Sequence, residues 1–81
     1  MEIEKIGENA GKVWHELNKG KELSIPELSR LIDLSHEDTT LAIGWLAREN
    51  KVYIQRKNGQ VFVSNGMIQG LYFGWSYIAS D

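Results

Sequence analysis

The residues that most often hold metals or attack bonds are scarce in this 81-residue chain, which has two histidines, His15 and His36, and no cysteine. With no repeated carboxylate spacing near them, both histidines read as surface residues and not as metal ligands. A phosphate-cradling glycine loop, a nucleophile elbow and a paired-carboxylate arrangement are all absent from the sequence, so neither catalysis nor a cofactor is expected. The chemistry on offer is non-covalent. Lys51, Arg56 and Lys57 place three cations and no anion on one stretch, suited to phosphate oxygens or, equally, to keeping an exposed strand edge soluble. Just ahead of them His36, Thr40, Ile43, Gly44 and Ala47 fall on one side of a helix at about 100° per residue. That side is poor in charge and lacks the forked Arg, Asn and Gln donors that pair with base edges.

A chain of this length supports one small core and no second domain of comparable size. Hydrophobic residues make up 42% and charged residues 25%, the balance of a packed globular chain. The lack of cysteine removes any disulfide framework, and the charged start Met1-Glu2-Ile3-Glu4-Lys5 is unlike an export signal. The cytoplasm is the expected location. A net charge of -2 weakens the general attraction to nucleic acid, since Lys and Arg contacts to phosphate supply most non-specific affinity.

Several elements must position these side chains. Ile3, Ile6, Ala10, Val13, Trp14 and Leu17 recur at three- and four-residue steps and predict an amphipathic first helix ending before Gly20. Gly7 and Gly11 within it are expected to let a neighbouring element approach bare backbone. Ser24 and Glu27 form a capping box with Pro26 in the first turn, so a short second helix starts there, with Leu28, Leu31 and Ile32 inward and Ser29, Arg30 and Asp33 outward. Leu23 or Ile25 is placed to bridge to a later hairpin. Ser35 caps a third helix whose acidic first turn, Glu37 and Asp38, suits the helix dipole. Leu41, Ala42, Trp45 and Leu46 are expected to be its core side, leaving His36, Thr40, Ile43 and Gly44 outside with Lys51.

Strands 52–57 and 60–64 are joined by Asn58-Gly59, the preferred pair for a two-residue type I′ turn. A two-residue turn opposes Lys57 to Gln60 and Ile54 to Val63, so Val52, Ile54, Val61 and Val63 share the face toward the helices. Tyr53, Gln55 and Phe62 take the other face. From Asn58 to Ser80 no residue is charged, and Leu71, Phe73, Trp75 and Tyr77 crowd the last part. Gln69, Gly70, Gly74 and Ser76 interrupt that run too often for a bilayer span of about 20 apolar residues. Its expected roles are core completion over Tyr53 and Phe62 or over the first helix, or pairing in a homodimer.

The segments Ile6-Gly7 with Ala10-Gly11-Lys12-Val13-Trp14, Leu41-Ala42-Ile43-Gly44-Trp45-Leu46-Ala47-Arg48-Glu49, and Lys51-Val52 to Phe62-Val63 carry a resemblance. The chain resembles the winged helix-turn-helix superfamily, and more narrowly a small family of stand-alone bacterial winged-helix proteins of unknown function. The resemblance covers residues 3 to 64. It implies an α+β fold with a three-helix core, a C-terminal β-hairpin wing and, in this chain, an extra aromatic segment. Residues 1–66 are the expected domain and 67–81 an extension packing on it or on a dimer partner.

Two functions are expected. One is a DNA-binding protein of the transcriptional-regulator type, touching double-stranded DNA through His36, Thr40, Ile43, Gly44, Lys51, Arg56 and Lys57. The other is a protein-interaction or dimerisation module without DNA binding, with Tyr53, Phe62, Leu71, Phe73, Trp75 and Tyr77 as its partner surface.

Overall fold

The computed structural model describes residues 2 to 66. In chain order it contains α1 (Glu2–Leu17), β1 (Leu23–Ser24), α2 (Ile25–Ile32), α3 (His36–Arg48), β2 (Tyr53–Lys57) and β3 (Gln60–Ser64). The three strands form one antiparallel sheet in the order β1-β3-β2. Leu71, Phe73, Trp75 and Tyr77 lie outside the described residues.

Each start and turn has a local cause. Ser24 serves two elements at once: it pairs with Phe62 in the sheet and caps α2. Its Oγ accepts from the Glu27 N–H at 3.2 Å, while Glu27 Oε1 accepts from the Ser24 N–H at 2.9 Å. This reciprocal box satisfies donors that a bare helix start leaves unpaired. The Glu27 carboxyl is held below its ordinary pKa of 4.5, first by the backbone hydrogen bond from Ser24. Ser35 repeats the device for α3, accepting from Asp38 N–H at 3.0 Å. At the hairpin tip Asn58 and Gly59 have φ of 51° and 81°, the left-handed pair a type I′ turn requires. The register is the expected one, with Lys57 opposite Gln60 and Ile54 opposite Val63. The bridge to the hairpin is Leu23, paired with Val63, together with Ser24.

Ala10, Val13 and Leu17 of α1, Leu23, Leu28, Ala42, Ile43, Leu46 and Val63 form the buried core. Three expected faces turn out rotated. On α3 the inward residues are Thr39, Ala42, Ile43 and Leu46, at i, i+3, i+4 and i+7, while Leu41 is 50% exposed and Trp45 36%. Ile43, expected outside, is therefore core. On α2, Ser29 is buried and Leu31 exposed, the reverse of expectation. The cause is a hydroxyl pair between the helices: Ser29 Oγ donates to Thr39 Oγ1 at 2.9 Å, and Thr39 Oγ1 donates to the Ser35 carbonyl at 2.8 Å. Two small polar residues at the α2–α3 contact satisfy each other and pack closely, so larger neighbours are turned away. In the sheet, Val63 is fully buried in the central strand, whereas Ile54, directly opposite on the edge strand, remains exposed. Gly7 meets the expectation for close approach, with the Trp45 ring 3.5 Å from where its Cβ would stand, but Gly11 has nothing there.

The rotated α3 is checked by urea denaturation. Ile43→Ala is expected to cost about 2–5 kcal/mol by cavity formation, and Leu41→Ala to stay within about 0.5 kcal/mol. The capping box has its own pH test. Because folding lowers the Glu27 pKa, its stabilisation is complete above the unfolded value and is lost as pH falls through the folded one. Thermal melting of Glu27→Gln should lie below that of the parent at pH 7, with the gap closing on acidification below the ordinary carboxylate range.

Candidate nucleic-acid interface

Rotation of α3 changes which side chains it offers. Opposite the buried stripe, at about 100° per residue, stand Glu37, Leu41, Gly44 and Arg48, flanked by Thr40. All five are exposed, and so is His36. Of the seven residues expected at a DNA surface, His36, Thr40, Gly44, Lys51, Arg56 and Lys57 are at the surface and Ile43 is not. Arg48 is the residue on this face that the sequence pattern did not place there. The signal for it is present: the run Thr39, Ala42, Ile43, Leu46 fits the i, i+3, i+4, i+7 template, but Leu41 and Trp45 are larger and more apolar than Thr39 and draw the predicted stripe toward themselves.

The cations differ in how free they are. Lys57 Nζ lies 2.8 Å from Glu22 Oε1 and 5.4 Å from the Phe62 ring centroid, so its charge is shared before any ligand arrives. Lys51 Nζ is 3.8 Å from Glu49 Oε1 and 5.7 Å from the Trp14 ring centroid. Arg48 and Arg56 make no ion pair among the described residues. Both arginines are exposed. The N-terminal turn of α3 is acidic: Glu37 and Asp38 sit where the helix dipole favours negative charge. A shallow open depression there, lined by His36, Glu37, Thr40 and Leu41, is mainly apolar.

Of the surface expected for a protein partner, Tyr53 and Phe62 are half-buried. Tyr53 packs against Gly66, whose φ of 89° and lack of a Cβ are both needed there, since a Cβ would lie 2.8 Å from Tyr53 Cε1. Among the described residues no group of three or more His, Cys, Asp or Glu could hold a metal ion. Among them, too, no helix is long and apolar enough to cross a membrane.

Three helices, the second and third forming the helix-turn-helix pair, followed by a hairpin that extends a short antiparallel sheet, define a winged helix-turn-helix domain. Residues 1–65 match the family described as "Winged helix-turn-helix domain (DUF2582)", and the chain belongs to that family. It is similar to the uncharacterized protein MJ1608 of Methanocaldococcus jannaschii, 40% identical over 53 residues that cover 62% of this chain and 74% of the relative. The solution NMR structure of protein BT2368 from Bacteroides thetaiotaomicron is also similar, with a TM-score of 0.74 and 56% identity over 83% of each chain.

The exposed Lys57–Glu22 pair is expected to position the wing cation and to add little to folding. Glu22→Gln should lower unfolding free energy in urea by less than about 1 kcal/mol. A larger loss would make Glu22 a structural anchor of the wing.

Proposed function

We propose that the domain binds double-stranded DNA in the cytoplasm as a regulator-type protein without catalytic activity, held mainly through phosphate contacts by Arg48, Lys51 and Arg56. The observation that carries this reading is the phase of α3, which brings the ion-pair-free Arg48 onto the outward face three residues before Lys51. The strand leaving that helix end carries Arg56, so the freest cations of this region succeed one another along the chain. Thr40 and Gly44, on the same exposed side, would let base edges approach, and Arg48 is the one forked donor there. The acidic first turn, already committed to capping α3, disfavours entry of that end into the groove. The C-terminal half of α3 and the wing are therefore the docking edge, and Lys57 contributes less because Glu22 holds it. Phosphate-dominated binding with modest base discrimination is the outcome of so few forked donors.

A second reading, a protein-contact module, is favoured by a separate observation: Leu41 and Trp45 are 50% and 36% exposed on the neighbouring edge of the same helix.

Titration of mixed duplex DNA at about 0.05 M salt and upward tests the first reading. Three phosphate contacts should give a log–log salt slope of about -2.7, falling to about -0.9 when Arg48 and Arg56 are both changed to Ala. Absence of any binding at the lowest salt overturns the DNA reading and leaves the protein-contact one.

A further inference from the structure

An apolar seam runs along the outside of the α1–α3 contact. The Trp45 ring lies over Gly7, with its nearest atoms 3.5–3.9 Å from a Cβ position there. Farther along both helices Lys51 Nζ lies 5.7 Å from the Trp14 ring centroid. These two rungs show that α1 and α3 run side by side in the same direction. One turn toward the start of each helix come Ile3 and Leu41, 49% and 50% exposed. Ile3, Gly7 and Trp14 share one edge of α1 at about 100° per residue, and Leu41 and Trp45 share the facing edge of α3. The exposed part of the seam is thus Ile3, Leu41 and Trp45, three large apolar side chains in line. Such a contiguous strip is uncommon on an uncovered surface.

The described chain leaves the domain at the foot of this seam. Asn65 Nδ2 donates to Asn18 Oδ1 at 3.0 Å, just past the end of α1, and Gly66 packs on Tyr53, two residues after Lys51. Residues 67 to 81 come next, uncharged as far as Ser80, with Leu71, Phe73, Trp75 and Tyr77 at alternate positions. We propose that this C-terminal segment covers the α1–α3 seam of its own chain, its alternate aromatic residues lying over Trp45, Leu41 and Ile3. Length permits it. From Trp14 to Ile3 α1 rises about 16 Å, which an extended chain spans in about five residues. The segment therefore reaches the far end of the seam after allowing several residues to turn out of β3. Polarity agrees as well. The exposed seam residues are uncharged, so the charge-free segment loses no ionic hydration there, while Lys51 at the foot offers a cation to an arriving aromatic ring. Covering of the seam is independent of DNA binding and gives the exposed apolar edge of α3 a single occupant.

The test is NMR on the full chain, using a sample mixed from two differently isotope-labelled preparations. Through-space contacts from the Trp45 indole and the Leu41 and Ile3 methyls to the rings of Phe73, Trp75 or Tyr77, found within one chain, are the expected result. Ring-current shifts of the Leu41 and Ile3 methyls should then collapse in the full-length Phe73→Ser, Trp75→Ser variant, with the Val13 and Leu28 methyl signals unmoved. Contacts found only between differently labelled chains would overturn the proposal in favour of a second copy as the occupant. Absence of contacts, with Leu41 and Ile3 shifts unchanged in the variant, would overturn it outright.

Discussion

The hydroxyl pair between Ser29 and Thr39 sets the geometry on which the functional surface depends. Thr39 is fully buried, accepts from Ser29 at 2.9 Å and donates to the Ser35 carbonyl at 2.8 Å. A buried hydroxyl left without a partner costs on the order of 1–3 kcal/mol, so the two helices settle where both hydroxyls are satisfied. That contact draws Thr39 inward, and Ala42, Ile43 and Leu46 come with it on the same stripe. Gly44 and Arg48 are consequently presented outward and Leu41 and Trp45 are left on the flank. The turn between the helices is shaped to match: Asp33 adopts a left-handed φ of 58°, and the N–H of Leu34 returns to the Ser29 carbonyl at 3.0 Å.

Charge and shape then divide the surface of α3 into regions with different chemistry. Its first turn is acidic and capped by Ser35, its last turn ends in Arg48, and β2 carries Arg56 beyond it. A phosphate chain approaching the domain is repelled at one end of the helix and attracted at the other. The overall charge of -2 makes this local asymmetry more important than any general attraction. Lys51 and Lys57 are each shared with a carboxylate and an aromatic ring. The arginines, more weakly hydrated and forked, are the better placed pair for phosphate.

Along the other flank small residues control packing. Gly7 admits the broad face of Trp45, and the two helices come together with the indole still partly open to solvent. A larger residue at position 7 would move the ring and with it the register of α3 against α1. The apolar seam is therefore a by-product of the same rotation that buries Ile43. It also gives the aromatic C-terminal segment a complementary surface next to the point where the chain leaves the sheet.

Much of the fold is legible in the residues themselves, because caps and turns are local chemistry. Ser24 with Glu27, Ser35, and Asn58-Gly59 fix element boundaries through hydrogen bonds and φ angles spanning two to four residues. The hairpin register comes from the turn, and the β1 bridge from Leu23 beside a capped helix start. The faces of α2 and α3 are not determined in the same way. Leu31, Leu41 and Trp45 are the most apolar choices on their helices, yet Ser29, Thr39 and Ile43 are buried, since helix phase depends on what the opposite helix presents. Six of the seven residues expected at the nucleic-acid surface lie on the outside, while Ile43 gives way to Arg48 in the outward stripe. By itself the sequence determined a winged helix-turn-helix with a cationic wing, for which local hydrogen bonding and hydrophobic spacing suffice. Tertiary structure alone decided which side of α3 meets a ligand, because that phase is set by a hydroxyl contact between residues ten apart on two helices.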